Sequence, residues 1–556
     1  MCGLSSRISI KIFVLISLTL ALFSSSTNCR LTRHFYTKSI GDLKDLAGLD
    51  IEISEYFTQV YLASESLNQD LEIKHLVEVY LQDFYETSGF ADFSDAILTT
   101  AVKISHNPIC SYRLIRRAIY LLRHLVLRAS FFRIFQSKMA RKIFHFFLEN
   151  GWPSNRDSIE SNFAILSIQQ AHAFDVDQFA NGLLATVQTN CTFDSISCHE
   201  LRQDMASQIQ WLEKAIEKAE NDGKTSVPFL KLLLRKAINK HNNVFDADTM
   251  LDLQSPCFDR ELKHIPGDSK TAKKVHTILY ETLQGKQSVA ASVPRTNYWR
   301  HWALCSGKNF QTEEEKSQLF CWYEFKAHPR FQIGPVKMEF LNRDPDMVQI
   351  YEILSEKETL DLIRNTSATM LPSSVQHIDM PIREDQLDPY EKKSRTSVNS
   401  WLPRSVDLIA SRKIEAITGL HVAREIDSEL LQVASYTVGG VFQPHHDELV
   451  QEDKDLPGQR IATFMFYFNE VELGGRTSFP FLGVAATPAT GSAIFWYNLY
   501  TDGYSDPMVD HGACPVIMGE KWSANKWIHE QTQFLDRKCT LKRKERFQIP
   551  CNGVVR

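Results

Sequence analysis

From Leu431 onward the chain breaks into short apolar segments, among them Leu431 to Val438, Ile461 to Phe468 and Gly491 to Tyr500, punctuated by glycine and proline. Runs of this length, rich in β-branched and aromatic residues and bounded by turn formers, read as strands. Several short strands joined by turns close into a jelly-roll barrel or stack as a sandwich. The front of the chain follows the other periodicity. Leu46, Leu49, Ile53, Phe57 and Val60 recur at three- and four-residue steps, continued by Leu67 and Leu71, which is a helix stripe with the character of a coiled-coil seam. Between about Ser158 and Leu253, Leu201, Met205, Ile209, Leu212 and Ile216 keep the same spacing. Such helices stack as short repeats around a concave peptide groove or pack as an ordinary bundle, and the pattern fits both. At 556 residues the chain exceeds what one core holds, so several domains are expected.

The front half also divides by charge. From Asp42 to Asp95 there are thirteen acidic residues against Lys44 and Lys74, while from Arg113 to Lys142 there are nine Arg or Lys and no acid. The basic segment reads either as a surface for membranes or polyanions, or as the partner of the acidic one. Leu121, Leu122, Leu125 and Phe131 lie within it and favour the second reading. With a net charge of −5, nothing in the balance points to nucleic acid.

Arg7 and Lys11 precede an apolar run from Ile12 to Phe23, followed by Ser24-Ser25-Ser26-Thr27. A cationic end, a short apolar core and small residues after it are the layout of a secretory signal, shorter than the ~20 residues of a membrane span. The expectation is a signal peptide over 1–29, no membrane span after its removal, and an oxidising lumen in which cysteines pair. Asn190-Cys191-Thr192 and Asn365-Thr366-Ser367 are glycosylation acceptors that fit such a lumen. The sequence ends Asn-Gly-Val-Val-Arg, without a luminal retention signal, so a partner is expected to hold it there.

The chemistry concentrates at Pro444-His445-His446-Asp447. On a strand, residues i and i+2 share a face, so His445 and Asp447 can hold one ion together, while His446 lies on the other face and is expected to be structural. His511 follows on another predicted strand, and Lys521 comes ten residues later. Two histidines and a carboxylate with open positions beside them suit non-haem iron, and a cation beyond them suits the distal carboxylate of 2-oxoglutarate. A second His-x-Asp, His377-Ile378-Asp379, would have His445 as its third partner and would put Asp455 where that cation is needed. The first assignment is preferred.

The string Tyr436-Thr-Val-Gly-Gly-Val-Phe-Gln-Pro-His-His-Asp447 resembles the iron-binding strand of the α subunits of collagen-type prolyl 4-hydroxylases, within the Fe(II)/2-oxoglutarate-dependent dioxygenases. Arg460-Ile-Ala-Thr-Phe, Gly474-Gly-Arg-Thr-Ser-Phe-Pro480, His511-Gly-Ala-Cys-Pro-Val and Gly519-Glu-Lys-Trp-Ser-Ala-Asn-Lys-Trp-Ile-His-Glu530 resemble the same family, almost without gaps over Leu431 to Cys539. Weaker similarity reaches upstream through Tyr298 to Tyr323 into the helical region.

The resemblance implies an α+β multidomain protein. Its expected parts are a helical dimerisation domain over 30–155, TPR-like peptide-binding helices over 156–260, a connecting region over 261–345, a double-stranded β-helix (jelly-roll) dioxygenase domain over 346–540 and a basic tail over 541–556. It implies that His445, Asp447 and His511 hold Fe(II), and that Lys521, with Tyr436 and Thr477, binds 2-oxoglutarate. Arg460, Trp527 and His529 match positions lining the peptide site. Disulfides Cys305–Cys321 and Cys514–Cys539 are implied; Cys191 and Cys198 are close enough to pair, and Cys110, Cys257 and Cys551 are unplaced. The implied reaction is hydroxylation of peptidyl proline at C4 in collagen-like or Pro-rich secreted chains, using O2, decarboxylating 2-oxoglutarate to succinate and supported by L-ascorbate. The implied setting is the endoplasmic reticulum lumen, in an α2β2 assembly of a second α subunit with protein disulfide isomerase. The other readings are a 2-oxoglutarate oxygenase acting on another residue, such as lysine, and a non-catalytic assembly or peptide-binding subunit. Two departures stand out: Phe442 where the family has Tyr, and the aliphatic stretch Phe229 to Ile238 where it presents tyrosines. A polyproline II ligand prefers an aromatic-lined groove, so the second points to a shifted substrate preference.

Overall fold

The computed structural model describes residues 36–37, 39–62, 71–88, 97–126, 137–172, 205–221, 226–246 and 297–551 apart from 368, 374–394 and 450–457, with isolated residues between 174 and 223. The leader, Leu67, the first glycosylation acceptor, His377-Ile378-Asp379, Asp455, Cys191, Cys198 and Cys257 lie outside the described residues. What is described falls into two compact units, one formed largely by the helices up to Gln169 and one carrying the sheets from Cys321 onward.

The first unit contains α1 (Ile40–Leu62), α2 (Leu71–Ser88), α3 (Ile97–His106), α4 (Pro108–Arg116), a π-helical turn over Arg117–Leu122, α5 (Ser137–Asn150) and α6 (Asn155–His172). A small hairpin pairs β1 (Leu183–Leu184) with β2 (Val187–Gln188). The chain enters α4 through Asn107, whose Oδ1 accepts from the backbone N–H groups of Ile109 and Cys110, with Pro108 at the first helical position. The α1 stripe is buried as its spacing predicts: Leu49, Ile53 and Phe57 pack with Val77, Tyr80, Leu122 and Leu125. The acidic and basic segments face each other within this one chain. Arg117, fully buried, donates from Nη2 to Asp50 Oδ2 at 2.6 Å and from Nη1 to Asp83 Oδ2 at 2.7 Å. Arg113 reaches Asp83 Oδ1 at 2.8 Å, the Tyr80 hydroxyl donates to Asp50 Oδ1 at 2.8 Å, and Lys142 pairs with Glu52. These arginines are committed to the carboxylates of buried Asp50 and half-buried Asp83, as charges removed from water must be.

The second unit begins with α7 (Met205–Asn221) and α8 (Val227–Asp246), a helical hairpin closed by Ile209, Leu212, Ala237 and Ile238. In the second unit α9 (Asn297–Cys305) and α10 (Glu313–Ser317) precede β3 (Cys321–Glu324), β4 (Val336–Arg343), β5 (Asp346–Tyr351), α11 (Glu356–Ser367), β6 (Leu371–Pro372), β7 (Val398–Leu402) and α12 (Arg404–Thr418). There follow β8 (Leu431–Tyr436), β9 (Phe442–His445), β10 (Arg460–Tyr467), β11 (Leu473–Gly474), β12 (Thr477–Phe479), β13 (Val484–Ala486), β14 (Ala493–Tyr497), β15 (His511–Ala513), β16 (Val516–Met518) and β17 (Lys521–His529). Among the described residues a nine-stranded sheet runs β3-β4-β5-β14-β10-β17-β8-β7-β6, a four-stranded sheet runs β13-β12-β15-β9, and β11 pairs with β16. The pairings within them are antiparallel.

Strand β10 is buried on both faces, and its alternation assigns each residue a layer. Phe464 and Phe466 join Phe495, Ile528 and residues of α11 and α12, such as Leu362 and Ile414, in the core under the helices. Met465 and Tyr467 face the other way, packing with Ile494, Trp496 and Phe479 between the large and small sheets. Two antiparallel sheets over a shared core are the arrangement of a jelly roll, the first of the two alternatives the strand pattern allows.

The sheet-bearing unit takes in more chain than residues 346–540. Strands β3 and β4, placed by sequence in a connecting region, extend the large sheet beyond β5, and Ile549 and Cys551, assigned to a basic tail, are buried in its core. The disulfides differ as well. Cys305 is bonded to Cys514, their Cα atoms 5.3 Å apart, whereas Cys321 and Cys539 are exposed free thiols and Cys551 is a buried one. The cause is packing: α9 lies against the small sheet, which brings Cys305 to the residue following β15, while Cys321 opens β3 at the far edge of the large sheet. Cys110 is half of a further disulfide.

On β17, Lys526 donates to Asp407 Oδ2 of α12 at 2.6 Å, with both side chains sealed from solvent. Burial lowers the Lys526 ammonium to about 8 despite the carboxylate beside it. Lys526→Ala strands a buried carboxylate, which typically costs about 3–5 kcal/mol, and a large fall in melting temperature is the expected result. A paired Lys526→Met, Asp407→Leu replacement should recover most of it.

Candidate active site

Strands β9 and β15 pair so that His511 stands opposite His445, and Asp447 follows two residues after His445, just beyond the end of β9. The sequence reading placed Asp447 on the strand itself; the strand ends first, yet the side chains converge. His445 Nε2 lies 3.7 Å from Asp447 Oδ1 and His511 Nε2 lies 3.7 Å from Asp447 Oδ2. The ligand atoms of all three residues fall within 4.8 Å of one another. His445 Nδ1 is 2.8 Å from the Gln443 carbonyl and His511 Nδ1 is 3.2 Å from the Val509 carbonyl. A carbonyl only accepts, so each Nδ1 carries the proton and each Nε2 offers its lone pair to the shared space. Burial and the neighbouring His511 push the His445 imidazolium down to about 3, so His445 is neutral. Burial works to raise the Asp447 carboxyl, but His511, His445 and Arg460 outweigh it and leave it at about 2, an anion.

Two imidazole nitrogens and a carboxylate, oriented by bonds from behind, form the donor set of a divalent non-haem iron site. His445, Asp447 and His511 would hold the ion. A second cluster, His301 with Cys305 and Cys514, offers no comparable set because its sulfurs are bonded to each other.

Behind the triad the support is polar and buried. Thr463 Oγ1 donates to Asp447 Oδ2 at 2.7 Å and accepts from Asn498 Nδ2 at 2.9 Å. The ring of Phe442 stacks on His445 at 3.7 Å, and Trp496 and Phe479 lie 4.8 and 5.6 Å from His511. Gly512 is required by close approach: a Cβ there would meet the Phe442 carbonyl oxygen at 2.9 Å and the His301 ring at 3.0 Å. Thr463→Val keeps the volume of the side chain and removes the donor to Asp447. Iron affinity should fall roughly 10–100-fold, measured by competition with a chelator, with little change in melting temperature.

The small sheet continues from β9 through β15 to β12, which carries Thr477 opposite Ala513. Lys521 opens β17 opposite Tyr436 and is 1 % exposed. Its Nζ donates to Thr477 Oγ1 at 3.2 Å and stands 5.6 and 5.4 Å from the rings of Tyr436 and Tyr467. No carboxylate pairs with it among the described residues, and burial alone lowers its ammonium to about 7. A buried ammonium without a counterion is costly unless an anion joins it, so Lys521 is suited to an anion, one strand away from His511.

Arg460, Trp527 and His529 also come together. Arg460 opposes His529 across β10 and β17, and its guanidinium sits 4.0 Å over the Trp527 ring. It donates to both Glu429 oxygens, at 2.5 and 3.0 Å, and from Nη1 to the Asp447 carbonyl at 3.2 Å, tying the cluster to the triad. His529 Nδ1 is 3.0 Å from the Gly458 carbonyl and Nε2 is 3.8 Å from Glu429. Trp401, 43 % exposed, lies 5.9 Å from Trp527. The buried Trp527 Nε1 donates to nothing among the described residues.

Sequence reasoning missed Glu429, Thr463, Tyr467, Asn498 and Trp401. A signal existed for two of them: a threonine inside Ile461-Ala-Thr-Phe-Met-Phe-Tyr467 and an asparagine inside Phe495-Trp-Tyr-Asn-Leu499 are polar residues in otherwise apolar strands, and buried polar groups need a reason.

Residues 431–529 match the 2OG-Fe(II) oxygenase superfamily. That segment spans the triad, the ammonium pocket and the Arg460 cluster, so the chain carries a 2OG-Fe(II) oxygenase domain, with iron(II) and 2-oxoglutarate as its cofactor and co-substrate. Beyond the domain, the chain is similar to prolyl 4-hydroxylase subunit alpha-1 of Gallus gallus, 29% identical over 426 residues, covering 71% of this chain and 80% of that protein. It is also 26% identical over 538 residues to prolyl 4-hydroxylase subunit alpha-2 of Caenorhabditis elegans, covering 91% of this chain and 93% of the relative. Among solved structures, the viral collagen prolyl hydroxylase of Paramecium bursaria Chlorella virus-1 in its 2OG complex is 25% identical, covering 33% of this chain and 94% of its own, with a TM-score of 0.25.

Proposed function

We propose that this chain is an Fe(II)- and 2-oxoglutarate-dependent prolyl 4-hydroxylase subunit acting on peptidyl proline in collagen-like or other Pro-rich chains. The observation that carries the reading is the juxtaposition, through β9, β15 and β12, of a His-Asp-His donor set with a buried ammonium that has no counterion among the described residues. When bound, iron(II) supplies the activation of O2 that couples decarboxylation of 2-oxoglutarate, to succinate and CO2, to insertion of one oxygen atom at C4 of proline. The remaining work belongs to the chain. His445, Asp447 and His511 hold the metal, with Thr463 and the two backbone carbonyls fixing their orientation. Lys521 neutralises the distal carboxylate of the co-substrate, with the Thr477 and Tyr436 hydroxyls beside it. Arg460, Trp527 and His529 hold the peptide, and the buried Trp527 Nε1 has no acceptor among the described residues. Phe442, Phe479 and Trp496 keep water from the reacting centre.

The reading extends to the setting. The apolar run at 12–23 and the Cys305–Cys514 disulfide support an oxidising endoplasmic reticulum lumen. There the proposal includes ascorbate as the reductant that restores iron(II), and assembly of two such chains with protein disulfide isomerase. The helices after residue 156 are proposed as the peptide-binding region. Their exposed Phe229 and Leu232, in place of tyrosines, fit a Pro-rich chain less strictly collagen-like.

The test is succinate release by the purified full-length chain, with any subunit that copurifies, supplied with Fe(II), 2-oxoglutarate and a (Pro-Pro-Gly)-type peptide. Peptide-dependent succinate, matched by a 16 Da gain on proline in mass spectra, is the expected result. Succinate formed equally without peptide, with no hydroxyproline on any Pro-rich sequence tried, would move the target to another residue.

A further inference from the structure

Thr477 lies between two buried donors, and only one of them, Lys521, has been given a role in binding. Lys521 Nζ donates to Thr477 Oγ1 at 3.2 Å, and the Tyr467 hydroxyl donates to the same oxygen at 2.8 Å. A hydroxyl has two acceptor lone pairs and one proton. With both lone pairs taken, the one hydrogen-bonding function left to Thr477 is its proton, and among the described residues it gives that proton to nothing. Tyr467 is fully buried, its ring packed among Met465, Phe479, Ile494 and Trp496. Burial holds its phenol well above the usual range, so it remains a donor at any working pH. Its hydroxyl therefore enters an apolar layer for a single polar contact, and that contact is Thr477.

We propose that Tyr467 is a positioning residue for the co-substrate: by occupying a lone pair of Thr477 it locks that hydroxyl as a donor, so that the pocket at Lys521 accepts a carboxylate and discriminates against a neutral amide in its place. The inference rests on the reading of this pocket as the 2-oxoglutarate site. An ammonium and a locked hydroxyl present only donors to the incoming group. A carboxylate accepts from both; the amide of 2-oxoglutaramate has one oxygen to offer and must set an N–H against one of the donors, leaving buried polar groups unpaired. If Tyr467 lost its hydroxyl, Thr477 could rotate and accept from that N–H, and the discrimination would shrink.

Binding, not turnover, gives the test. The full-length chain is loaded with Fe(II) without oxygen and titrated with 2-oxoglutarate and, separately, with 2-oxoglutaramate, following the charge-transfer absorbance of the chelated metal. In Tyr467→Phe, 2-oxoglutarate should bind about tenfold more weakly, as expected for disturbing one hydrogen bond to a charged group, while 2-oxoglutaramate changes little, so the preference between them narrows. In a Thr477→Ala background, adding Tyr467→Phe should change neither affinity further. Equal loss from Tyr467→Phe in both backgrounds, or an unchanged preference in Tyr467→Phe alone, overturns the proposal, because Tyr467 would then serve only the core. Lys521→Ala separates the two readings. If that variant still binds 2-oxoglutarate as the wild type does, the pocket itself is misassigned; if it loses binding while Tyr467→Phe keeps the full preference, only the role of Tyr467 fails.

Discussion

Replacing His511 with glutamine is expected to abolish peptide-dependent succinate release and to leave the purified protein with little bound iron. Glutamine keeps a side chain of comparable length against Phe479 and Trp496, so the small sheet should persist and the melting temperature should change little. What it removes is one of the three donor atoms that lie within 4.8 Å of one another. Changes behind a metal ligand cost roughly 10–100-fold in affinity or activity, and losing the ligand itself is expected to exceed that. Asp447 is also affected, since His511 is the strongest of the neighbours that oppose the effect of burial on its carboxyl. The prediction is read from iron content after desalting, from succinate release with excess Fe(II), and from the melting curve. Wild-type turnover in the variant, at wild-type iron content, would show that the triad is not the reacting centre.

How much of this was legible beforehand follows from which interactions are local. His445 and Asp447 are two residues apart, and their convergence needs only the strand preceding them; His511 and Lys521 were reached through motifs within a nearly continuous resemblance. Strand β10 was visible too, as the apolar run from Ile461 to Phe468. What escaped depends on register between distant strands. Thr463 supports Asp447 because β10 passes beneath the end of β9, and Tyr467 meets Thr477 because two sheets face each other at one particular offset. No periodicity encodes such offsets. The charge division of the front half favoured pairing of its segments, and Arg117 with Asp50 and Asp83 bears this out, but the spacing did not say that Arg113 and Arg117 would be the buried ones. Cysteine pairing was misjudged for the same reason. Cys305–Cys514 spans 209 residues and is set by α9 lying against the small sheet, a contact no local spacing reports. The limits of the domain were drawn too tightly because β3, β4 and Ile549 contribute to a core whose sequence signature lies elsewhere.

The second large effect concerns Lys521, and its sign differs between the empty and the loaded protein. Burial lowers the ammonium from its ordinary 10.5 to about 7. In the unloaded protein the charged form is thus disfavoured by folding: the cost is fully present below about pH 7 and fades as pH rises toward the unfolded value, so stability gains with pH across that window. Lys521→Met, which removes the charge and keeps much of the apolar stem, should therefore be at least as stable as the wild type near pH 6, with the difference closing by about pH 10. Co-substrate binding runs the other way. A dicarboxylate needs the ammonium protonated, so affinity for 2-oxoglutarate should be flat below about pH 7 and weaken by up to about tenfold per pH unit above it, with a proton taken up on binding. Calorimetric titration in two buffers of different ionisation enthalpy measures that uptake directly. In Lys521→Met both the affinity and its pH dependence above neutrality should be lost. A wild-type affinity independent of pH between 7 and 9, without proton uptake, would mean that the distal carboxylate is held elsewhere. The same buried charge that weakens the empty fold is what gives the pocket its anion, and a residue kept at the expense of stability is one whose role lies in binding.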